Sequence, residues 1–194
     1  MRPEGDASRP VLLEQPAWLE AMVAPGLAVA DDAGAMLLAI GLARENVARR
    51  AGGPFGAVVF EEGSGRLLGA GVNSVERLAN SMLHAEVVAL MAAEARIGAY
   101  TLRRQNGPAC VLATSCDPCA MCLGAALWSG VARIVCGAGR EDAARIGFDE
   151  GPVFAASWEY LEKRGIAVRR GVLAGEARAV LEEYHAAGGV IYNG

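Results

Sequence analysis

The sequence predicts an α/β sandwich, a sheet held between helical layers. Three observations carry this reading. Strand-like and helix-like segments alternate along the chain. Two of the strand segments, "ACVLATS" and "VARIVCG", are nearly continuous apolar runs, as expected when both faces of a strand are covered. The 194 residues, 53% hydrophobic and 21% charged, suit one folded unit with a sizeable core.

In chain order, "DDAGAMLLAIGLARENVARRAGG" is a helix, with Leu37, Ile40, Val47 and their alanine neighbours near helical spacing and Gly52–Gly53 as its stop. "PFGAVVFEEGSGRLLGAGVN" reads as strands Phe55–Glu61 and Arg66–Asn73 around the turn-forming "EGSG". A second helix starts near His84 and ends at Gly98, and it is rich in strong helix formers. After "ACVLATS" comes a third helix, "DPCAMCLGAALWSG", with Asp117 expected at its N-cap and Pro118 at its first helical position. Then follow the strand "VARIVCG", helical "REDAARIG", the loop "FDEGP", the helix "AASWEYLEKRG", the strand "IAVRRG", the helix "AGEARAVLEEYHAAG" and the closing "GVIYNG". Residues 1–30 read as an N-terminal arm and 31–194 as the main domain.

A net charge of −4 with scattered basic residues argues against a large phosphate-backbone footprint. No apolar run approaches the roughly 18 to 20 residues a membrane span requires. "AMVAPGLAVADD" has small residues spaced like a cleavage site, but Glu4, Asp6, Glu14 and Glu20 precede it where a basic region would be expected, and Pro25 interrupts it. Five cysteines, an odd number with three clustered, argue against a disulfide framework and make the cytoplasm the expected compartment.

The cluster is "TSCDPCAMCLGAALW", where Cys116, Cys119 and Cys122 recur every third residue. Such spacing alone suits a redox pair, an iron–sulfur loop or zinc. On a helical first turn, Cys119 and Cys122 face one point, and the positive helix end favours their thiolates. Upstream, "LHAE" supplies His84 and Glu86. Residues two apart in a helix point about 200° away from each other, so this pair converges only if His84 lies on the last non-helical residue. One imidazole and two thiolates leave a fourth zinc position for water, the arrangement of a catalytic rather than a structural site. Glu86 then stands beside that water as a base. The competing readings are a closed site with Cys116 as fourth ligand, an iron–sulfur loop, which wants a cysteine near Ala126, and a redox pair, which has no use for His84. Cys110 and Cys136 read as core thiols and His185 as a surface or packing residue. H-x-E followed by P-C-x-x-C is an established signature of zinc-dependent nucleobase deaminases.

Together, "HAEV", "TSCDPCAMCLGAALWSG" and "GFDEGP" resemble the cytidine deaminase superfamily, and more closely its bacterial guanine deaminase branch, which includes enzymes acting on ammeline. "GPFGAVVF" and "GVIYNG" point to the same branch, and the resemblance runs from about Asp31 to the C-terminus. It implies a three-layer α/β/α fold with a five-stranded mixed sheet, a homodimer, and Zn2+ bound by His84, Cys119 and Cys122 without Cys116. It implies Glu86 as proton shuttle and Glu150 as a second acid assisting loss of the amino group. Asn73 and the Ala85 backbone would contact the purine, with Phe55, Trp128 and Phe148 around its ring and Tyr192 and Asn193 as a closing lid. Phe55 and Trp128 also suit a core, and Asn73 a strand end. The implied reaction is guanine plus water to xanthine plus ammonia. Rival functions are deamination of ammeline, cytosine or a nucleoside such as cytidine or guanosine, tRNA adenosine deamination, and a non-enzymatic module around structural zinc.

Overall fold

The computed structural model describes residues 13–193. Its elements are α1 (Ala17–Met22), α2 (Asp32–Ala48), β1 (Gly56–Glu61), β2 (Leu67–Val72), α3 (Val75–Leu78), α4 (Ala85–Ile97), β3 (Cys110–Cys116), α5 (Ala120–Ser129), β4 (Arg133–Ala138), α6 (Arg140–Arg145), α7 (Ala155–Lys163), β5 (Ala167–Arg169) and α8 (Ala174–Ala186). The sheet is five-stranded and mixed, ordered β2-β1-β3-β4-β5. β1 runs antiparallel to β2 and β3, while β3, β4 and β5 run parallel.

Alternate side chains along the central strands feed two separate cores. Val58, Phe60, Val111, Ala113 and Val135 face a layer that includes Met36 and Ile40 of α2 and Val180 and Leu181 of α8. Their neighbours Ala57, Val59, Leu112 and Ile134 face Ala89 of α4, Leu123 of α5 and Leu161 of α7. Both faces are therefore covered, which is why these strands are apolar at nearly every position. Helices on both faces of a mixed sheet agree with the expected α/β/α layering.

Two elements are absent from the sequence reading. α1, six residues long, lies within the stretch read as an arm; Leu19 is buried against the first core, and Ala28 bridges Arg66 beside β2. α3 spans four residues. Helices of one turn or so show no readable periodicity. Residues 1–12 of the expected arm lie outside the described residues.

One boundary is corrected. Asp117 does not cap α5, and Pro118 is not its first residue; Cys119 holds the N-cap, with extended backbone at φ −67° and ψ 173°. The Asp117 carboxylate is engaged elsewhere, accepting from Arg170 Nε at 3.0 Å and from the Arg140 backbone N–H at 3.3 Å. Its own N–H donates to the Ala138 carbonyl at 2.8 Å. A long-range ion pair thus overrides a local capping preference.

Close packing sets the position of α4. A methyl group on Gly69 would come within 2.3 Å of the Ala89 carbonyl, and one on Gly71 within 2.4 Å of the Ala85 carbonyl. Bare backbone on β2 lets the helix lie directly on the strand. The N-terminus of α4 is held in this way near Asn73, where β2 ends.

Candidate active site

Two helix N-termini meet at the site. His84 is the N-cap of α4, with φ −68° and ψ 154°, and Glu86 lies in the first turn. This extended cap residue is what frees His84 and Glu86 from pointing apart. Cys119 is the N-cap of α5 and Cys122 lies three residues on. His84 Nδ1 lies 3.5 Å from Cys119 Sγ and 3.6 Å from Cys122 Sγ. The three ligand atoms all fall within 4.8 Å of one another. A tetrahedral zinc with Zn–N near 2.05 Å and Zn–S near 2.3 Å separates N from S by about 3.6 Å, so the spacing and the donor chemistry both fit.

The electrostatics agree. A hydrogen bond from Cys122 and the nearby His84 hold Cys119 down to about 4, and Cys122 is pushed up well above its ordinary value by Cys119 and by burial. These groups share protons that a divalent cation would displace. Cys116 stands apart; its thiol faces the Gly139 carbonyl at 3.7 Å, and burial raises it far above its ordinary value. Cys110 and Cys136 are buried in β3 and β4, as expected of core thiols, and all five cysteines are free.

Beside the ligands lies a pocket lined by Phe55, Asn73, His84, Glu86, Asp117, Phe148, Asp149, Glu150 and Tyr192. Burial raises Glu86, reinforced by the Cys119 charge. Burial, with Cys119 and Glu86 nearby, pushes Glu150 up to about 8. Carboxyls raised in this way can take and return protons closer to neutral pH than ordinary ones. Asn73 is 1% exposed; its Oδ1 accepts from the Val75 N–H at 3.3 Å, while its Nδ2 has no partner. The Tyr192 hydroxyl is likewise buried without a partner. Buried polar atoms left open on a pocket wall are positions for a ligand's hydrogen bonds. Ala85, between His84 and Glu86, begins α4, where first-turn N–H groups lack helical acceptors.

The apolar wall is a ring cluster. Phe148 meets Phe55 edge-on at 5.1 Å and Tyr192 edge-on at 5.0 Å. Behind it, Tyr184 of α8 stacks on Phe148 at 6.1 Å and donates its hydroxyl to the Val190 carbonyl at 2.7 Å. Asn193 does not face the pocket; it accepts from the Asp149 N–H and donates to the Gly147 carbonyl, each at 2.9 Å. It fastens the C-terminal segment to the loop carrying Phe148 and Glu150. That loop is braced further by Arg140, which donates to the Gly151 and Val153 carbonyls.

Trp128 is not brought to the pocket. It is 78% exposed near the end of α5, because six residues beyond Cys122 lie about 240° around the helix. The sequence reading missed Asp117, which it took for a cap, and Tyr184, which a helical pattern records only as another apolar position. His185 is exposed, as expected.

The family model for the cytidine and deoxycytidylate deaminase zinc-binding region matches residues 30–138. The chain belongs to this family. A guanine deaminase of Bacillus subtilis is 38% identical over 128 residues, covering 66% of this chain and 78% of that protein. The structure of a guanine deaminase from Nitrosomonas europaea aligns with a TM-score of 0.88 at 40% identity, covering 94% of this chain and all of that one. A variant of the protein NE0047 in complex with 8-azaguanine aligns with a TM-score of 0.89 at 40% identity over the same shares. Within this deaminase family, the convergent histidine and cysteine pair falls inside the matched zinc-binding region, whereas Glu150 and Tyr192 lie beyond it.

Proposed function

We propose that this protein is a zinc-dependent aminohydrolase of a free purine base, converting guanine and water into xanthine and ammonia. One observation carries the reading: a single pocket brings His84 of the three-ligand cluster together with buried Glu86, half-buried Glu150, an open asparagine amide and an aromatic wall. The likeness to guanine deaminases over nearly the whole chain supports guanine as the base.

Zinc held by His84, Cys119 and Cys122 supplies, when bound, the Lewis acidity that activates water near neutral pH. Glu86 takes the proton of the water that attacks C2 and passes it to the adjacent ring nitrogen. Glu150, with Glu86, carries a proton to the departing amine, which leaves as ammonia. Asn73 Nδ2 and the Ala85 N–H hold the base by its polar edge, while Phe55, Phe148 and Tyr192 enclose its faces. Enclosure keeps bulk water from the reacting centre.

The test is ammonia release from a panel of free bases and nucleosides at matched zinc content. Guanine is expected to turn over fastest; faster release from guanosine, cytidine or ammeline overturns the assignment.

We also assign residues 31–194 to the catalytic unit and propose a cytoplasmic homodimer. Met91 of α4 and Tyr100 beyond it share one surface hollow and are exposed, as is Trp128 of α5, and contiguous exposed apolar surface suits a subunit contact. Five free thiols suit a reducing compartment, and among the described residues no helix is long and apolar enough to cross a membrane. Sedimentation as a monomer at micromolar concentration would refute the dimer, and recovery outside the cytoplasmic fraction would refute the location.

A further inference from the structure

Near its C-terminal end, α2 carries a buried polar side chain that the chemistry above does not use. Asn46 is fully buried, and its Nδ2 donates to the carbonyls of Gly53 and Asn73, each at 2.9 Å. Two carbonyl neighbours fix the amide's orientation, since only the NH2 end can satisfy both. Both acceptors belong to the pocket's frame. The Gly53 carbonyl also accepts from the Phe55 N–H at 2.9 Å, and the Phe55 carbonyl accepts from the Asn73 N–H at 3.0 Å. The turn at Gly52–Gly53 has no room for side chains. A methyl group on Gly52 would lie 2.2 Å from the Asn73 carbonyl, and one on Gly53 would lie 1.9 Å from the Tyr192 hydroxyl oxygen. Tyr192 is thus seated on Gly53, and Asn73 hangs from the same clamp.

We propose that Asn46 is a positioning residue for base binding, its side-chain amide locking the seat of Tyr192 to the backbone of Asn73 so that the two unpartnered polar groups of the pocket keep a fixed spacing. Asn46 touches neither ligand cluster nor reacting atoms, so its removal should weaken the grip on the base and spare the chemical step. The inference rests on the reading of this pocket as a base site, and it names a determinant of affinity that lies behind the pocket wall.

The experiment uses the zinc-loaded full chain and two variants. Asn46→Leu removes both donors at similar volume. Gly53→Ala acts from the other end by displacing Tyr192. For each, KM and kcat for guanine, the Kd of 8-azaguanine, zinc content and thermal midpoint are measured. Ile166→Ala, in the other core, serves as a control for lost stability alone. The expected result is a rise of about tenfold or more in KM and Kd for either variant, the scale of lost buried hydrogen bonds. With it, kcat should stay within about threefold and zinc should be retained, while the control leaves KM unchanged. Unchanged KM and Kd in a folded, zinc-bound variant overturn the inference, as does an equal rise in the control. Should Asn46→Leu not fold, Asn46→Ala, which removes the same two donors without adding a branched side chain, decides in its place. If the parent binds 8-azaguanine but does not turn over guanine, the assigned reaction fails while the positioning role is still judged on Kd. If the parent does neither, both fall.

Discussion

The pocket has two halves built on different terms. The ligand half, His84, Glu86, Cys119 and Cys122, sits on two helix N-termini braced by the sheet, and each pair is close in sequence. The half proposed to hold the base is assembled across the chain: Asn73 from the end of β2, Phe148 and Glu150 from the loop after α6, and Tyr192 from the C-terminal segment. Its fastenings are a few side-chain hydrogen bonds, two from Asn193 to Asp149 and Gly147 and one from Tyr184 to Val190 among them. Local geometry fixes the first half, and a set of separable contacts fixes the second. Reactivity and affinity should accordingly be separable by mutation.

The strongest break is at the ligands. Cys122→Ala should lose bound zinc and reduce ammonia release to background, as read by metal analysis and turnover together; full activity with one thiol gone would dissolve the distinction between the halves. Next comes Glu86→Gln, which leaves the ligands in place. Loss of a positioned proton shuttle costs about 10² to 10⁴ in kcat, at full zinc content and with little change in analogue affinity. Near-normal turnover of this variant would remove the mechanism.

On the other side of the comparison, Tyr192→Ala should raise KM for guanine by about tenfold to a hundredfold with kcat altered far less, because it opens the wall and removes one edge-on ring contact. A kcat defect as large as that of Glu86→Gln would mean the halves are not separable. The smallest effect comes from a site outside both. Glu61, at the far end of β1, is gripped by Arg66 and Arg104, and the Arg66 hydrogen bond foremost holds its carboxyl at about 2, against an ordinary 4.5. A carboxyl depressed by folding stabilises fully above its unfolded value and loses that contribution as pH falls through its folded value. Glu61→Gln should lower the thermal midpoint by about a few degrees at pH 7, with the gap closing between about 4.5 and 2, and leave KM unchanged. A gap that persists at pH 2, or a shift in KM, would contradict this placement.

The same division explains what the sequence discloses. His84, Glu86, Cys119 and Cys122 are legible because ligand spacing and helix boundaries are local properties, and the boundary at His84 follows from the geometric need for convergence. The strands are legible because burial of both faces leaves a continuous apolar record. Asp117 misleads: its partner Arg170 lies just past β5, far along the chain, and nothing near position 117 announces it. Trp128 misleads in the other direction, since family likeness gives a position in the chain but not the side of α5 on which it emerges. Tyr184 and Asn46 look like ordinary interior positions of helices. Their roles reside in contacts to Val190, Gly53 and Asn73, and no periodicity encodes a partner.

The pairing of β2 with α4 through Gly69 and Gly71 carries an implication for mutational tolerance. One added carbon on that strand, remote from the pocket, must lift the helix that bears the His84 imidazole and the Glu86 carboxylate. In a saturation library scored for growth on guanine as nitrogen source, these two positions should stand out as an intolerant stripe, depleted of alanine as thoroughly as of bulky replacements.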